Sequence, residues 1–155
     1  MNSTKGYFLF VEGGRIDHGH HDQQAHKAIE EFVEFDNTIE EALKRVDLSE
    51  TLIIVTADHS HAMSFIGYDA RNTSVFDNVQ IPQFQSSKGN FTKIQYAMGT
   101  KTRNKDRYNQ PDSKTNDENY VFSSAVLKKS SNHGGEDVPI YASGPMVITN
   151  LPIFS

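Results

Sequence analysis

The chain has 155 residues, of which 36% are hydrophobic and 23% charged, with a net charge of -5. Such a balance fits one ordinary globular unit and argues against a disordered chain, and no run approaches the roughly 18 apolar residues of a membrane-spanning helix. The acidic balance argues against a nucleic-acid partner, which needs a cationic face, and the absence of cysteine removes disulfides and thiolate metal sites from consideration.

In chain order, residues 6–11 (Gly-Tyr-Phe-Leu-Phe-Val) form a continuous apolar run of strand length, closed by Glu12-Gly13-Gly14. They predict a fully buried strand ending in a tight turn. From Asp22 the period changes: Ala25, Ile29, Phe32, Ile39, Leu43 and Val46 recur at helical spacing. This predicts an amphipathic helix of about 24 residues with Asp22 as its N-cap, Lys44 and Arg45 at its C-terminal dipole, and Glu30, Glu31 and Glu34 in solvent. Residues 51–56 (Thr-Leu-Ile-Ile-Val-Thr) predict a second strand, so that strand, helix and strand form a right-handed βαβ unit with parallel strands. That geometry delivers Glu12, Asp17 and His21 to the same sheet edge as Asp58 and His59.

Residues 67–131 then turn polar, rich in Asn, Asp, Gln, Ser and Lys, with short apolar alternations such as residues 91–96. They are expected to be an inserted, loop-rich subdomain or a surface lid rather than a core layer. Residues 138–142 and 146–149 predict further strands around Ser143-Gly144-Pro145.

Six of the seven histidines fall in three clusters: His18, His20 and His21; His59 and His61; and His133. Without thiolates, any zinc must be held by imidazole and carboxylate. Asp17 with His21, Asp58 with His59, and His133 supply such ligands for two zinc ions, and Glu12 is an oxygen donor suited to magnesium. Two divalent ions about 4 Å apart clamp the attacking and leaving oxygens of a phosphoryl transfer, which would let an acidic chain handle phosphate. Each residue also has an ordinary reading: Asp17 as a helix cap, Asp58 as a turn cap, Glu12 paired with Arg15, His133 as a loop histidine. Glycines flanking the first and third clusters favour the metal reading, because they let backbone approach a crowded site.

Three segments carry a resemblance: Val11-Glu12-Gly13-Gly14-Arg15-Ile16-Asp17-His18-Gly19-His20-His21, Thr56-Ala57-Asp58-His59-Ser60-His61, and His133-Gly134-Gly135-Glu136-Asp137. In order and spacing they resemble the C-terminal metal motifs of the alkaline phosphatases, and His18 together with residues 67–131 resembles the animal type. The resemblance implies an α/β fold, a large central β-sheet flanked by helices, with residues 67–131 as the inserted crown. It implies zinc held by Asp17, His21 and His133, a second zinc held by Asp58 and His59, and magnesium on Glu12. It further implies that His18 approaches phosphate through water, that His61 supports the zinc site, and that Tyr68 reaches across a homodimer interface. The implied activity is phosphate monoester hydrolysis through a phosphoserine, at the cell surface or outside the cell, commonly on a lipid anchor.

Departures accompany it. The Asp-Ser-Ala context of the family's serine nucleophile does not occur; the one Asp-Ser pair, Asp112-Ser113, precedes Lys114. No counterpart is found for the phosphate-binding arginine or for the aspartate shared by the second zinc and magnesium. Residues 1–155 are therefore expected to be the C-terminal portion of such a catalytic domain, inactive alone, with a non-catalytic zinc-binding or partner-binding role as the alternative. Residues 146–155 diverge from the family's continuation, and no anchor signal is seen. Sequons at Asn2, Asn72 and Asn90 are compatible with secretion.

Overall fold

A computed structural model describes residues 5–79, 91–101 and 114–147. Two helices open the chain, α1 (Gly14–His21) and α2 (Ala25–Arg45). Among the described residues nine short strands follow: β1 (Ile53–Thr56), β2 (Ser60–His61), β3 (Met63–Phe65), β4 (Asn78–Val79), β5 (Phe91–Thr92), β6 (Ile94–Gly99), β7 (Ser124–Leu127), β8 (His133–Gly134) and β9 (Ile140–Ser143). The chain is thus mixed α and β. Among the described residues the strands form four small sheets: β1 with β9, β2 with β8, β3-β6-β7, and β4 with β5. All pairings are antiparallel except β6 with β7.

The predicted parallel βαβ unit is not formed. Residues 6–11 carry no strand, and Tyr7, Phe8, Leu9, Phe10 and Val11 are all exposed, Phe8 by 89%. Strand β1 pairs instead with β9, Ile53 opposite Ser143 and Thr56 opposite Ile140. An apolar run of strand length says that a segment can be buried; it does not say what covers it.

The predicted helix forms as α2, starting at Ala25, and an unpredicted helix, α1, precedes it. Asp22 closes α1 as its C-cap, Gln23 takes a left-handed φ of +58°, and α2 starts after Gln24 without a side-chain cap. Gly19 makes this joint possible. A Cβ there would lie 2.7 Å from the Ala28 backbone nitrogen, so only glycine lets α1 approach α2 so closely. The expected Lys44 and Arg45 do occupy the last turn of α2.

Gln23 compensates its backbone with buried hydrogen bonds. Its Nε2 donates to the Phe122 carbonyl at 2.7 Å, its carbonyl accepts from the Phe122 N–H at 2.9 Å, and its Oε1 accepts from the Thr100 N–H. The bend between the helices is thereby tied to the end of β6 and the approach to β7.

The core joins the first turn of α2 to sheet β3-β6-β7. Ala25, Ile94, Tyr96 and Phe122 are buried together, flanked by Ile29, Met63, Phe76 and Tyr120. Residues 91–101 and 114–127 therefore supply a core layer, contrary to the expectation of a surface lid. Their buried positions are separated by polar ones, so composition averaged over the segment concealed the alternation on β6, where Ile94 and Tyr96 point inward. Buried Lys93 ties the neighbouring turn: its Nζ meets Asp69 Oδ2 at 2.9 Å, Thr73 Oγ1 at 2.7 Å and the Ser74 carbonyl at 2.9 Å. Of the predicted strand at residues 146–149, Met146 lies in a turn, Val147 is helical and the rest is outside the described residues, as are Asn2, Asn90, Asp112 and Ser113.

Candidate metal centre

Helix α1 places Asp17 and His21 one turn apart on one face, as side chains at i and i+4 must be. The pairing of β2 with β8 sets His61 opposite His133 and Ser60 opposite Gly134. These two devices meet. Asp17, His21, His61 and His133 each offer one ligand atom, and the four atoms lie within 4.8 Å of one another.

Asp17 is the centre of the group. Its Oδ1 accepts from His61 Nε2 at 2.8 Å and lies 3.4 Å from His133 Nε2, while its Oδ2 is 3.4 Å from His21 Nε2. His21 Nε2 and His133 Nε2 are 3.1 Å apart. Burial works to raise the Asp17 carboxyl, but the His61 hydrogen bond and the charges of His21, His61 and His133 outweigh it and hold the group below 3.8. Burial pushes His61 below its ordinary value despite the Asp17 bond that opposes it, with His21 and His133 adding to the depression. A carboxylate kept ionised beside imidazole nitrogens is the kind of ligand set a divalent cation can use.

Backbone fixes one of the rings. His21 Nδ1 donates to the Ser131 carbonyl at 2.6 Å, and the Ser131 N–H returns a bond to the His21 carbonyl at 3.0 Å. With the proton held on Nδ1, the Nε2 lone pair of His21 faces the cluster, which is how metal-ligating histidines are commonly oriented. His61 Nδ1 is buried without a hydrogen-bond partner.

The other expected site residues stand in varied positions. His59 adjoins the cluster: its ring stacks on His133 at 3.5 Å between centroids, its Nδ1 donates to the Ser60 carbonyl at 2.9 Å, and its Nε2 is 3.7 Å from Asp17 Oδ1. Asp58 is exposed, its carboxylate 3.5 Å from His59 Nε2. Glu12 is exposed beside Gly14, His18 is exposed on α1, and Tyr68 is fully exposed. The structure thus gathers Asp17, His21, His61 and His133 tightly, brings His59 alongside, and leaves Glu12, His18 and Tyr68 at the surface.

Ser60 Oγ donates to Glu136, bracing the β2-β8 ladder from outside, and this bond lowers the Glu136 carboxyl. Other supports escaped the sequence reading. His20 Nδ1 shares a 3.0 Å hydrogen bond with the Tyr96 hydroxyl, and His20 stacks on His61 at 5.0 Å. His26, also without an expected role, stacks on Phe76 at 3.4 Å while its Nε2 donates to the Thr115 carbonyl at 2.8 Å. Tyr96 had a sequence signal, the apolar alternation of residues 91–96, but nothing local links it to a histidine 76 positions away.

Three imidazoles and one carboxylate converging define a candidate divalent-metal centre of nitrogen and oxygen ligands. Comparison with known proteins agrees with that class. The family profile described as alkaline phosphatase matches residues 2–151, and the chain belongs to this family. It is 44% identical over 146 residues to the tissue-nonspecific alkaline phosphatase isozyme of Felis catus and 42% identical to that of Homo sapiens, covering 93% of this chain in each case. It is 40% identical over 147 residues to the membrane-bound alkaline phosphatase of Bombyx mori, covering 92% of this chain. The chain spans only 28% of the length of the two mammalian relatives and 26% of the silkworm one. Among the described residues, no helix is long and apolar enough to cross a membrane.

Proposed function

We propose that this chain supplies metal-holding residues of a phosphomonoesterase centre of the alkaline phosphatase type. Asp17, His21 and His133 would hold the first zinc, Asp58 and His59 would contribute to the second, and Glu12 would contribute to magnesium. His61 would hold the Asp17 carboxylate in place, and His18 would face the phosphate of a monoester substrate. Metal ions bound there lower the pKa of a water or alcohol and stabilise charge on the phosphoryl oxygens.

The observation that carries this reading is the orientation of His21. Its Nδ1 proton is committed to the Ser131 carbonyl, so Nε2 turns toward Asp17 and His133 with its lone pair available. Two imidazole nitrogens 3.1 Å apart beside a carboxylate are placed to share one cation.

Titration of the chain with zinc by calorimetry tests the reading. Wild type should bind, and Asp17→Asn and His133→Ala should each weaken binding at least tenfold; no heat on wild type overturns it. The Asp-Ser-Ala nucleophile context does not occur in this sequence, so hydrolysis of an aryl phosphate in zinc and magnesium should be negligible. Turnover lost on His133→Ala would show that the chain is catalytic alone. In a full-length relative-like protein we place the chain at the cell surface or outside the cell, with Tyr68 at a homodimer contact and Asn72, which is exposed, as a glycosylation acceptor.

A further inference from the structure

Outside the ligand cluster, one buried polar contact leads into it without belonging to it. Tyr96 on β6 is 1% exposed, and its hydroxyl shares a 3.0 Å hydrogen bond with His20 Nδ1. The His20 ring stacks on His61, centroids 5.0 Å apart and planes 29° apart. His61 Nε2 in turn donates to Asp17 Oδ1 at 2.8 Å. Three side chains from three elements thus form a continuous line from the core of the β3-β6-β7 sheet to the carboxylate at the middle of the cluster.

We infer that Tyr96 and His20 are positioning residues for the metal centre, acting through the His20 ring on His61 and thence on Asp17. His61 needs such support. Its Nδ1 is buried without a hydrogen-bond partner, so no backbone group fixes its ring as the Ser131 carbonyl fixes His21. Ring orientation at His61 therefore rests on packing, and the broad face it packs against is His20. The Tyr96 hydroxyl holds that face still, and Tyr96 is itself held by core packing with Ala25, Ile94 and Phe122. Supporting groups of this kind are worth about 10–100-fold in metal affinity when they bond a ligand directly; Tyr96 stands farther out, so the smaller end of that range or below applies.

The inference rests on the metal reading of Asp17, His21 and His133, and the test separates the two. In zinc titrations of the full chain, Tyr96→Phe, which removes only the hydroxyl, should weaken binding about fivefold. His20→Asn, which keeps a hydrogen-bonding group for Tyr96 but removes the stacked ring, should weaken it about tenfold. With cobalt in place of zinc, both variants should shift the visible ligand-field spectrum, because Asp17 changes orientation. Phe122→Leu loosens the same core without touching His20 and should leave the spectrum as in wild type; an equal shift there reduces Tyr96 to a core residue and overturns the inference. Wild-type affinity and spectrum in Tyr96→Phe overturn it as well. A wild-type chain that takes up no metal overturns the metal reading instead, and the His61 ring-nitrogen resonances of the metal-free chain then decide. If these are unchanged in Tyr96→Phe, the positioning role falls too; if they move, it stands as a property of the ring line itself.

Discussion

The two ends of α2 live in different surroundings. At its first turn Ala25 is buried with Ile94, Tyr96 and Phe122, His26 stacks on Phe76 and Ala28 meets Gly19 of α1, whereas farther along Phe32, Val33 and Leu43 are exposed. The same division runs through the molecule. One region has a core of Ala25, Ile94, Tyr96 and Phe122, while the β1-β9 ribbon and residues 7–11 present Ile54, Ile140, Tyr141 and Phe8 to solvent. Apolar residues are plentiful in both, so composition does not distinguish them. Enclosure does: the first region has helix on one side and sheet on the other, and the second has a bare two-stranded ribbon, which by itself is marginal in water. The aspartate and histidine cluster stands at the seam, with Asp17 and His21 on α1 held against the enclosed region and His59 following the half-exposed strand β1.

The sharpest way to break the enclosed region is Phe122→Ala. Phe122 is fully buried, stands edge-on to Tyr120 at 4.8 Å, and its carbonyl and N–H both bond Gln23. Loss of the ring should cost about 3–5 kcal/mol, measured by denaturant unfolding. A loss under about 1 kcal/mol would mean that this cluster is no core.

A smaller effect tests the enclosure through pH. Burial pushes the Tyr96 phenol well above its ordinary value of 10. Below that value both folded and unfolded chains keep the proton. Above it the unfolded chain releases the proton while the folded chain retains it, so stability is present at lower pH and is lost as pH rises, by about 1.4 kcal/mol per pH unit for one full proton. Melting curves between pH 9 and pH 11 should therefore fall more steeply for wild type than for Tyr96→Phe, which has no phenol to ionise. Equal slopes would place Tyr96 in contact with water.

What the sequence made legible follows the same seam. That Asp17, His21 and His133 come together was readable because residue type and short spacing marked them out, and the first pair sits at the helical i, i+4 interval. The family followed from the same segments. What escaped was long-range: His20 to Tyr96 spans 76 positions and His26 to Thr115 spans 89, and no local pattern carries such pairings. Helix α1 escaped for another reason. Residues 14–21 contain two glycines and three histidines, poor helix formers, so α1 is held by its packing on α2 more than by propensity. The strand expected at residues 6–11 failed because hydrophobic pattern reports what a segment can bury, and burial needs a covering layer.

The smallest expected effect is also the one that most directly tests the contrast. Ile54 lies in the middle of β1, opposite Ala142, and is 50% exposed. Replacing it by threonine keeps the β-branch and the ladder hydrogen bonds but removes apolar surface. In an enclosed sheet such a change would strand a hydroxyl among hydrocarbon and cost upward of 1 kcal/mol. On a ribbon open to water the hydroxyl stays solvated, so Ile54→Thr should alter unfolding free energy by no more than about 0.5 kcal/mol. The open ribbon is also an apolar surface suited to association, so the variant should reduce self-association in sedimentation or light scattering. A destabilisation comparable to that of Phe122→Ala would show that the ribbon is enclosed in solution, with the exposed apolar run at residues 7–11 a candidate to cover it.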